Sequence, residues 1–252
     1  MSNFEIGIIG GTGGIGKWFV EFFRKEGYTV HVAGRREGMN LEEMARACRV
    51  VIVSVPIEAT ADVIKEVGPL LPKETLFMDF TSLKGEPVRL MVQHSQAEVM
   101  GCHPLFGPDT NSIAGQNIVF CPVRVNVWSE WPGELFRKRG AAVIETTPEL
   151  HDEMMAFVQA LNHVNTIMMG LILKETAPVQ DELRKFSTPA FDTKLAMIDK
   201  IFADNPRLYA EIIIRNPQVE SLLARYEERL AEIKELIHKS DIDGLVRRIV
   251  RD

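Results

Sequence analysis

The stretch from Ile6 to Phe23 constrains the fold more than any other part of the chain. Ile6-Gly7-Ile8-Ile9 reads as a short buried strand, and Gly10-Gly11-Thr12-Gly13-Gly14-Ile15-Gly16 as a glycine-rich turn. Behind the turn, Ile15, Trp18, Phe19, Phe22 and Phe23 recur at helical spacing. Gly11, Gly13 and Gly16 satisfy G-x-G-x-x-G. In that pattern the first glycine permits the tight turn, the second lets backbone approach a pyrophosphate, and the third lets the helix pack closely on the strand. Main-chain N–H groups at the helix start then meet the anion. Glycine-rich turns are common, but the strand–turn–helix context favours a dinucleotide site contacted by Gly11, Thr12, Gly13, Gly14, Ile15 and Gly16.

A second strand, Tyr28 to Ala33, ends at Gly34-Arg35-Arg36-Glu37. An NAD site usually carries a carboxylate at this strand end for the ribose hydroxyls, whereas a 2′-phosphate needs cationic donors. Gly34 occupies the carboxylate position and Arg35 and Arg36 follow it, so NADP is the expected cofactor. Glu37 leaves NAD possible, and a solvated basic loop is the bland alternative. Val55 and Pro56, where a third strand ends, join the cofactor-binding set, because ligands of open α/β sheets bind at the carboxyl ends of strands.

Strand and helix signals continue to alternate: Val50 to Val55 is an apolar strand, Thr60 to Val67 looks helical, and Leu76 to Phe80 is a strand. Val99 to Gly101, Asn117 to Cys121 and Ala142 to Glu145 supply more strands. Such alternation argues for parallel βαβ units. Past Pro148 the signal is helical, with breaks near Pro178, Ser187 to Pro189, Asn205-Pro206 and Asn216-Pro217. The expected organisation is α/β: an N-terminal Rossmann dinucleotide-binding domain over 1–147, then an all-α dimerisation and substrate domain over 148–252. A helix from Leu150 to about Leu173 is apolar on more than one face, so it is expected to be buried on several sides. In so small a domain a second subunit is the simplest cover, and a homodimer is expected. The last long helix, with Val219, Leu222, Leu223, Tyr226, Leu230, Ile233 and Leu236, carries a single apolar stripe.

At 252 residues and 46% hydrophobic content the chain can bury one large core or two modest ones. A net charge of −6 gives no general attraction to nucleic acid or an anionic membrane, so an anionic substrate needs a local cationic cluster. The three cysteines, Cys48, Cys102 and Cys121, lack C-x-x-C spacing, which suggests neither a disulfide framework nor a metal site. There is no basic segment leading into an apolar signal core and no apolar run long enough to span a bilayer. A soluble, cytoplasmic protein is the expectation.

Two constellations carry chemistry on their own residues. Asp79-Phe80-Thr81-Ser82-Leu83-Lys84 lies at the carboxyl end of a predicted strand. There Ser82 either orients an imidazole, binds substrate or caps a helix, and Lys84 either supplies charge to a substrate or is simply exposed. His103, in Gly101-Cys102-His103-Pro104-Leu105-Phe106-Gly107-Pro108-Asp109, follows a predicted strand. An imidazole there can accept a hydroxyl proton as the carbon that bears it loses hydride. His31, His94 and His238 have bland placements, in a strand, a polar stretch and a helix terminus.

Together the glycine-rich loop, the segment from Asp79 to Lys84, His103-Pro104-Leu105-Phe106-Gly107-Pro108, the His151-Asp152 pair and Leu195-Ala196-Met197 leading to Asn205-Pro206-Arg207-Leu208-Tyr209-Ala210 resemble prephenate dehydrogenase. The likeness is greatest to the dehydrogenase half of the chorismate mutase–prephenate dehydrogenases, and it spans nearly the whole chain. It implies oxidative decarboxylation of prephenate to 4-hydroxyphenylpyruvate, a step of tyrosine biosynthesis. It further implies that His103 polarises the C4 hydroxyl, that Ser82 orients His103, and that Ser82, Lys84 and Lys200 contact substrate. Relatives usually carry arginine where this chain has Lys200, and some carry one where it has Asp192. Lysine keeps the charge but loses the bidentate fork. No helical segment of about ninety residues is left over for a mutase. Arogenate is the alternative substrate. Another NADP-dependent small-acid dehydrogenase is disfavoured, because the first helix of the second domain has Asn162, His163 and Asn165 but no lysine before Lys174. A non-catalytic dinucleotide-binding dimer is the alternative from a different class.

Overall fold

The structure is a computed structural model that describes residues 4–34, 38–175 and 180–250. The chain forms two compact units, Met1–Met155 and Ala156–Asp252. The eight residues of the helix Pro148–Met155 therefore belong with the first unit, one short helix beyond the division at 147/148 expected from the sequence.

The first unit is a seven-stranded sheet in the order β2-β1-β3-β4-β5-β6-β7. Its strands are β1 (Glu5–Ile9), β2 (Thr29–Ala33), β3 (Cys48–Val53), β4 (Leu76–Asp79), β5 (Glu98–Pro104), β6 (Asn117–Arg124) and β7 (Ala142–Glu145). Between them run α1 (Gly14–Lys25), α2 (Leu41–Ala47), α3 (Ile57–Val67), α4 (Gly85–His94) and α5 (Trp131–Lys138), and α6 (Pro148–Met155) closes the unit. Strand alternation sorts the buried residues onto two faces. Ile6, Ile8, Val50, Ile52, Leu76 and Met78 form one core with Phe19 and Phe23 of α1 and Phe136 of α5. Ile9, Val51, Val53, Phe77 and Val99 form the other with Met44, Ile64, Val88 and Met91 from α2, α3 and α4.

The first five strands are parallel, and the chain order reverses between β2-β1 and β3-β4-β5. That makes the carboxyl ends of β1 and β3 the switch point where such sheets bind ligands. Uniform parallelism fails at β6, which is antiparallel to β5 and parallel to β7. The reason is the connection: Leu105 to Gln116 contains no helix, and a parallel return in the same sheet needs a crossover unit.

The second unit is helical: α7 (Asn162–Glu175), α8 (Gln180–Lys185), α9 (Pro189–Asp199), α10 (Pro206–Arg215), α11 (Val219–His238) and α12 (Ile242–Ile249). Ala156–Leu161 and Lys200–Asp204 are π-helical. Two of the expected breaks are helix starts with a capping side chain and proline in the first turn. Thr188 accepts from the Phe191 N–H ahead of α9, and Asn205 from the Leu208 N–H ahead of α10. The expected break at Pro178 falls outside the described residues. The buried cluster here is small, namely Ala156, Ala160, Val219 and Leu222.

One expectation needs correcting. The helical run Pro148–Glu175 is, by length and composition, apolar enough to cross a bilayer, with a mean hydropathy of 1.3 over its best 18 residues. Its polar residues are scattered through the run and never end it, which is why no uninterrupted stretch stands out. Within one chain only 22% of that window is buried, and Phe157, Val158, Met168 and Leu171 are exposed, which leaves the expected cover to a second subunit.

Candidate active site

The glycine-rich loop presents bare backbone. Gly10 makes the left-handed turn (φ 86°), and a Cβ there would lie 2.3 Å from the Ser54 carbonyl oxygen and 3.0 Å from Val55 Cγ1. The turn therefore rests on the Ser54-Val55-Pro56 segment at the end of β3, and Gly10 makes the turn the sequence pattern assigned to Gly11. A Cβ on Gly16 would lie 2.5 Å from the Gly10 oxygen, so this glycine lets α1 start hard against the strand end. Gly13 faces open space, Thr12, Gly13 and Gly14 are exposed, and no side chain caps α1. Uncapped helix N–H groups beside an open glycine fit a pyrophosphate. Gly34 at the end of β2 is exposed, whereas Arg35 and Arg36 lie outside the described residues.

His103 lies within β5, one residue before the strand ends, and is buried. Its Nδ1 is 2.8 Å from His151 Nε2, and His151 Nδ1 is 2.8 Å from Asp152 Oδ1. Both latter residues come from α6 and are buried. Asp152 also accepts the Lys84 N–H on Oδ1 and the Gly85 N–H on Oδ2, each at 2.8 Å, so it caps α4 from across the unit. A Cβ on Gly85 would lie 2.9 Å from Asp152 Oδ2.

This arrangement fixes the protons. Burial pushes the Asp152 carboxyl up, but the His151 hydrogen bond and the two main-chain donors outweigh it and hold it below the ordinary range. It is therefore ionised at neutral pH, acts only as an acceptor, and takes the proton of His151 Nδ1–H. Burial drives the His151 pKa down, with Lys84 adding to the effect, while Asp152 opposes it. Neutral His151 thus has a bare Nε2, which accepts from His103 Nδ1–H. Burial first, then His151 and Lys84, depress the His103 pKa well below the usual histidine value. His103 is left neutral with an unprotonated Nε2, the state of a general base.

The other predicted contacts are placed differently. Ser82 is half-buried in the turn between β4 and α4, and the hydrogen bond to His103 Nδ1 is made by His151 instead. Lys84 is wholly buried and ion-paired with Asp79, which removes its ammonium from the surface expected of a substrate contact. Lys200 belongs to the helical unit, where it is exposed at the first position of a π-helical turn. Asp192 lies in the first turn of α9 and accepts from the Ser187 hydroxyl, a local role at a helix start. His151 and Asp152 entered the sequence analysis only as one of the motifs carrying the family resemblance, with no chemical role assigned to either. Cys48 and Cys121 are buried with thiols pushed up to about 12, so neither is a nucleophile. Among the described residues no group of three or more His, Cys, Asp or Glu is placed to hold a metal ion.

Comparison with known proteins decides the family. A model described as prephenate dehydrogenase, nucleotide-binding domain matches residues 23–145, and one described as prephenate dehydrogenase, dimerization domain matches residues 147–251. The chain belongs to the prephenate dehydrogenase family. Within the family it is 36% identical over 98% of its length to a probable arogenate/prephenate dehydrogenase of Methanocaldococcus jannaschii, of which it covers 59%. It is 35% identical over 95% of its length to the T-protein of Enterobacter agglomerans, of which it covers 64%. The chain thus spans about three-fifths of the length of these curated relatives. In fold it resembles a prephenate dehydrogenase from A. aeolicus solved with hydroxyphenyl propionate and NAD+, with a TM-score of 0.74 at 19% identity, 99% of this chain and 96% of that one being covered. An arogenate dehydrogenase from Synechocystis gives 0.73 at 16% identity, covering 97% of this chain and 96% of that one.

Proposed function

We propose that this protein oxidises and decarboxylates prephenate to 4-hydroxyphenylpyruvate, with hydride passing to a nicotinamide dinucleotide. The observation that carries the reading is the buried hydrogen-bonded chain from His103 Nδ1 through His151 to Asp152, set in a dinucleotide-binding fold. The dinucleotide, when bound, accepts the hydride. His103 Nε2 takes the proton of the C4 hydroxyl as that carbon becomes carbonyl-like, the imidazolium charge that develops is shared along the chain to Asp152, and the proton returns to the ring oxygen when decarboxylation leaves it as phenolate. Loss of the ring carboxylate as carbon dioxide and aromatisation supply the driving force, so alignment is the protein's main task.

NADP is the preferred cofactor on this reading, because Gly34 removes the carboxylate that would oppose a 2′-phosphate and two arginines follow it. The assembly is a homodimer, supported by the family description of the second domain and by the exposed apolar residues of Pro148–Glu175. The three free, buried cysteines suit a reducing compartment such as the cytoplasm.

The test is reduced-cofactor absorbance with prephenate or arogenate and NADP or NAD in all four combinations. Turnover of prephenate with NADP leading the other three is the expected result. A lead for arogenate reassigns the substrate, and a lead for NAD overturns the role given to Arg35 and Arg36. Silence in all four with dinucleotide binding intact leaves the non-catalytic dimer.

A further inference from the structure

A lysine with no exposed surface needs an acceptor for each of its three protons, because a buried charge left unpaired is strongly unfavourable. Lys84 has all three. Its Nζ donates to Asp79 Oδ2, to Thr81 Oγ1 at 3.2 Å and to the Cys102 carbonyl oxygen at 3.0 Å. The central strand makes room for it: a Cβ on Gly101 would lie 3.0 Å from Lys84 Cδ. The pair is not optimised for its own sake, since Asp79 Oδ1 is buried with no hydrogen-bond partner. What distinguishes Lys84 is its reach. The ammonium holds the peptide that precedes His103, and its main-chain N–H holds Asp152 at 2.8 Å, so one residue grips both ends of the Asp152–His151–His103 chain.

We propose that Lys84, paired with Asp79, is a positioning residue that sets the spacing of His103, His151 and Asp152 and holds a fixed positive charge beside the two imidazoles. The proposal rests on the reading of His103 as the base. The titratable groups around the imidazoles are His151, Asp152 and Glu149 on α6, Asp79 and Lys84 at the β4–α4 turn, Cys102 on β5 and Cys121 on β6. Of these, Lys84 lowers both imidazoles, whereas Asp79 raises His151. Removing one charge of the pair or the other therefore acts in opposite senses, which a merely structural role does not produce.

The experiment makes Lys84→Met, Asp79→Asn and the double variant. Each is read by the pH dependence of kcat/KM for prephenate, and by the nitrogen chemical shifts of the His103 and His151 rings titrated without cofactor. In Lys84→Met the imidazole pKa values and the acid limb rise by about one pH unit or more, in Asp79→Asn the His151 pKa falls, and the double variant returns to within about half a unit of wild type. Shifts in the same direction, or folded variants with lowered activity and an unmoved acid limb, overturn the proposal. If Lys84→Met does not fold, the fall in Asp79→Asn and the return in the double variant decide it. Full turnover in His103→Asn would remove the base while the ring titration still tests Lys84, so the two failures are distinguishable.

Discussion

A neutral imidazole works as a base only when something fixes which of its nitrogens is unprotonated, and on the reading of His103 as the base that is decided two hydrogen bonds away, at Asp152. The carboxylate orients His151, and His151 orients His103 through a 2.8 Å contact. Replacing His103 with Asn keeps a polar side chain but removes the proton acceptor. We expect kcat to fall by about two orders of magnitude or more with dinucleotide affinity unchanged, measured by steady-state kinetics and a fluorescence titration of NADPH. Near-normal turnover would take His103 out of the mechanism. The same burial has a consequence for stability. His103, His151 and His163 all have folded-state pKa values below 6.5, so between those values and 6.5 the unfolded chain binds protons that the folded one does not. Stability is therefore complete above about pH 6.5 and is lost as pH falls below it. Melting temperatures taken from about pH 7.5 down to about pH 5 should drop more steeply for the wild type than for a His103→Asn/His163→Asn variant. Parallel curves would mean that these histidines titrate alike in both states.

At the level of elements, what the sequence discloses depends on how local the cause is. The strand, glycine turn and helix from Ile6 to Phe23 are legible because each step is decided by neighbours in the chain. The cap-and-proline starts of α9 and α10 are legible for the same reason. The antiparallel β6 is not, since its direction depends on what a connection without a helix can reach. The chain from His103 to Asp152 is hidden more deeply: its partners are 48 residues apart and meet only once α6 has packed on α4. Lys84 misleads for a related reason, because a lysine beside a glycine reads as surface until the Asp79 carboxylate is seen beneath it. The glycine loop also makes a prediction at this scale. Gly16→Ala places a methyl 2.5 Å from the Gly10 oxygen, so α1 must move away from the strand end that aims its N–H groups. Dinucleotide Kd should rise about tenfold or more while the His103 ring keeps its own titration, because β5 and α6 do not touch this contact. Unchanged Kd would show that the helix start does not bind the cofactor.

Over the whole molecule, the two units bury their apolar residues very differently. The sheet unit encloses two cores between its helix layers, whereas the helical unit buries a small cluster together with Ile198, Ile201 and Ile212 and leaves Phe157 at 43%, Val158 at 59%, Met168 at 53% and Leu171 at 45% exposure. Apolar side chains this exposed along one helical run are costly in water, and a patch of them marks a contact surface. A bilayer would cover such a run as well as a second copy would. The chain argues for the copy, because α6, at the start of the same run, places His151 and Asp152 in the buried hydrogen-bonded chain to His103. A closed two-fold contact would cover the same residues twice, once on each protomer. Val158→Glu/Met168→Glu places two carboxylates in that contact. Sedimentation equilibrium should then give the mass of one chain where the wild type gives two, and the far-ultraviolet circular dichroism of the variant should remain helical. A dimer that survives both charges would place the subunit contact on another face, with the exposed ends of α11 and α12 next in line through Ile237, Ile242 and Ile249.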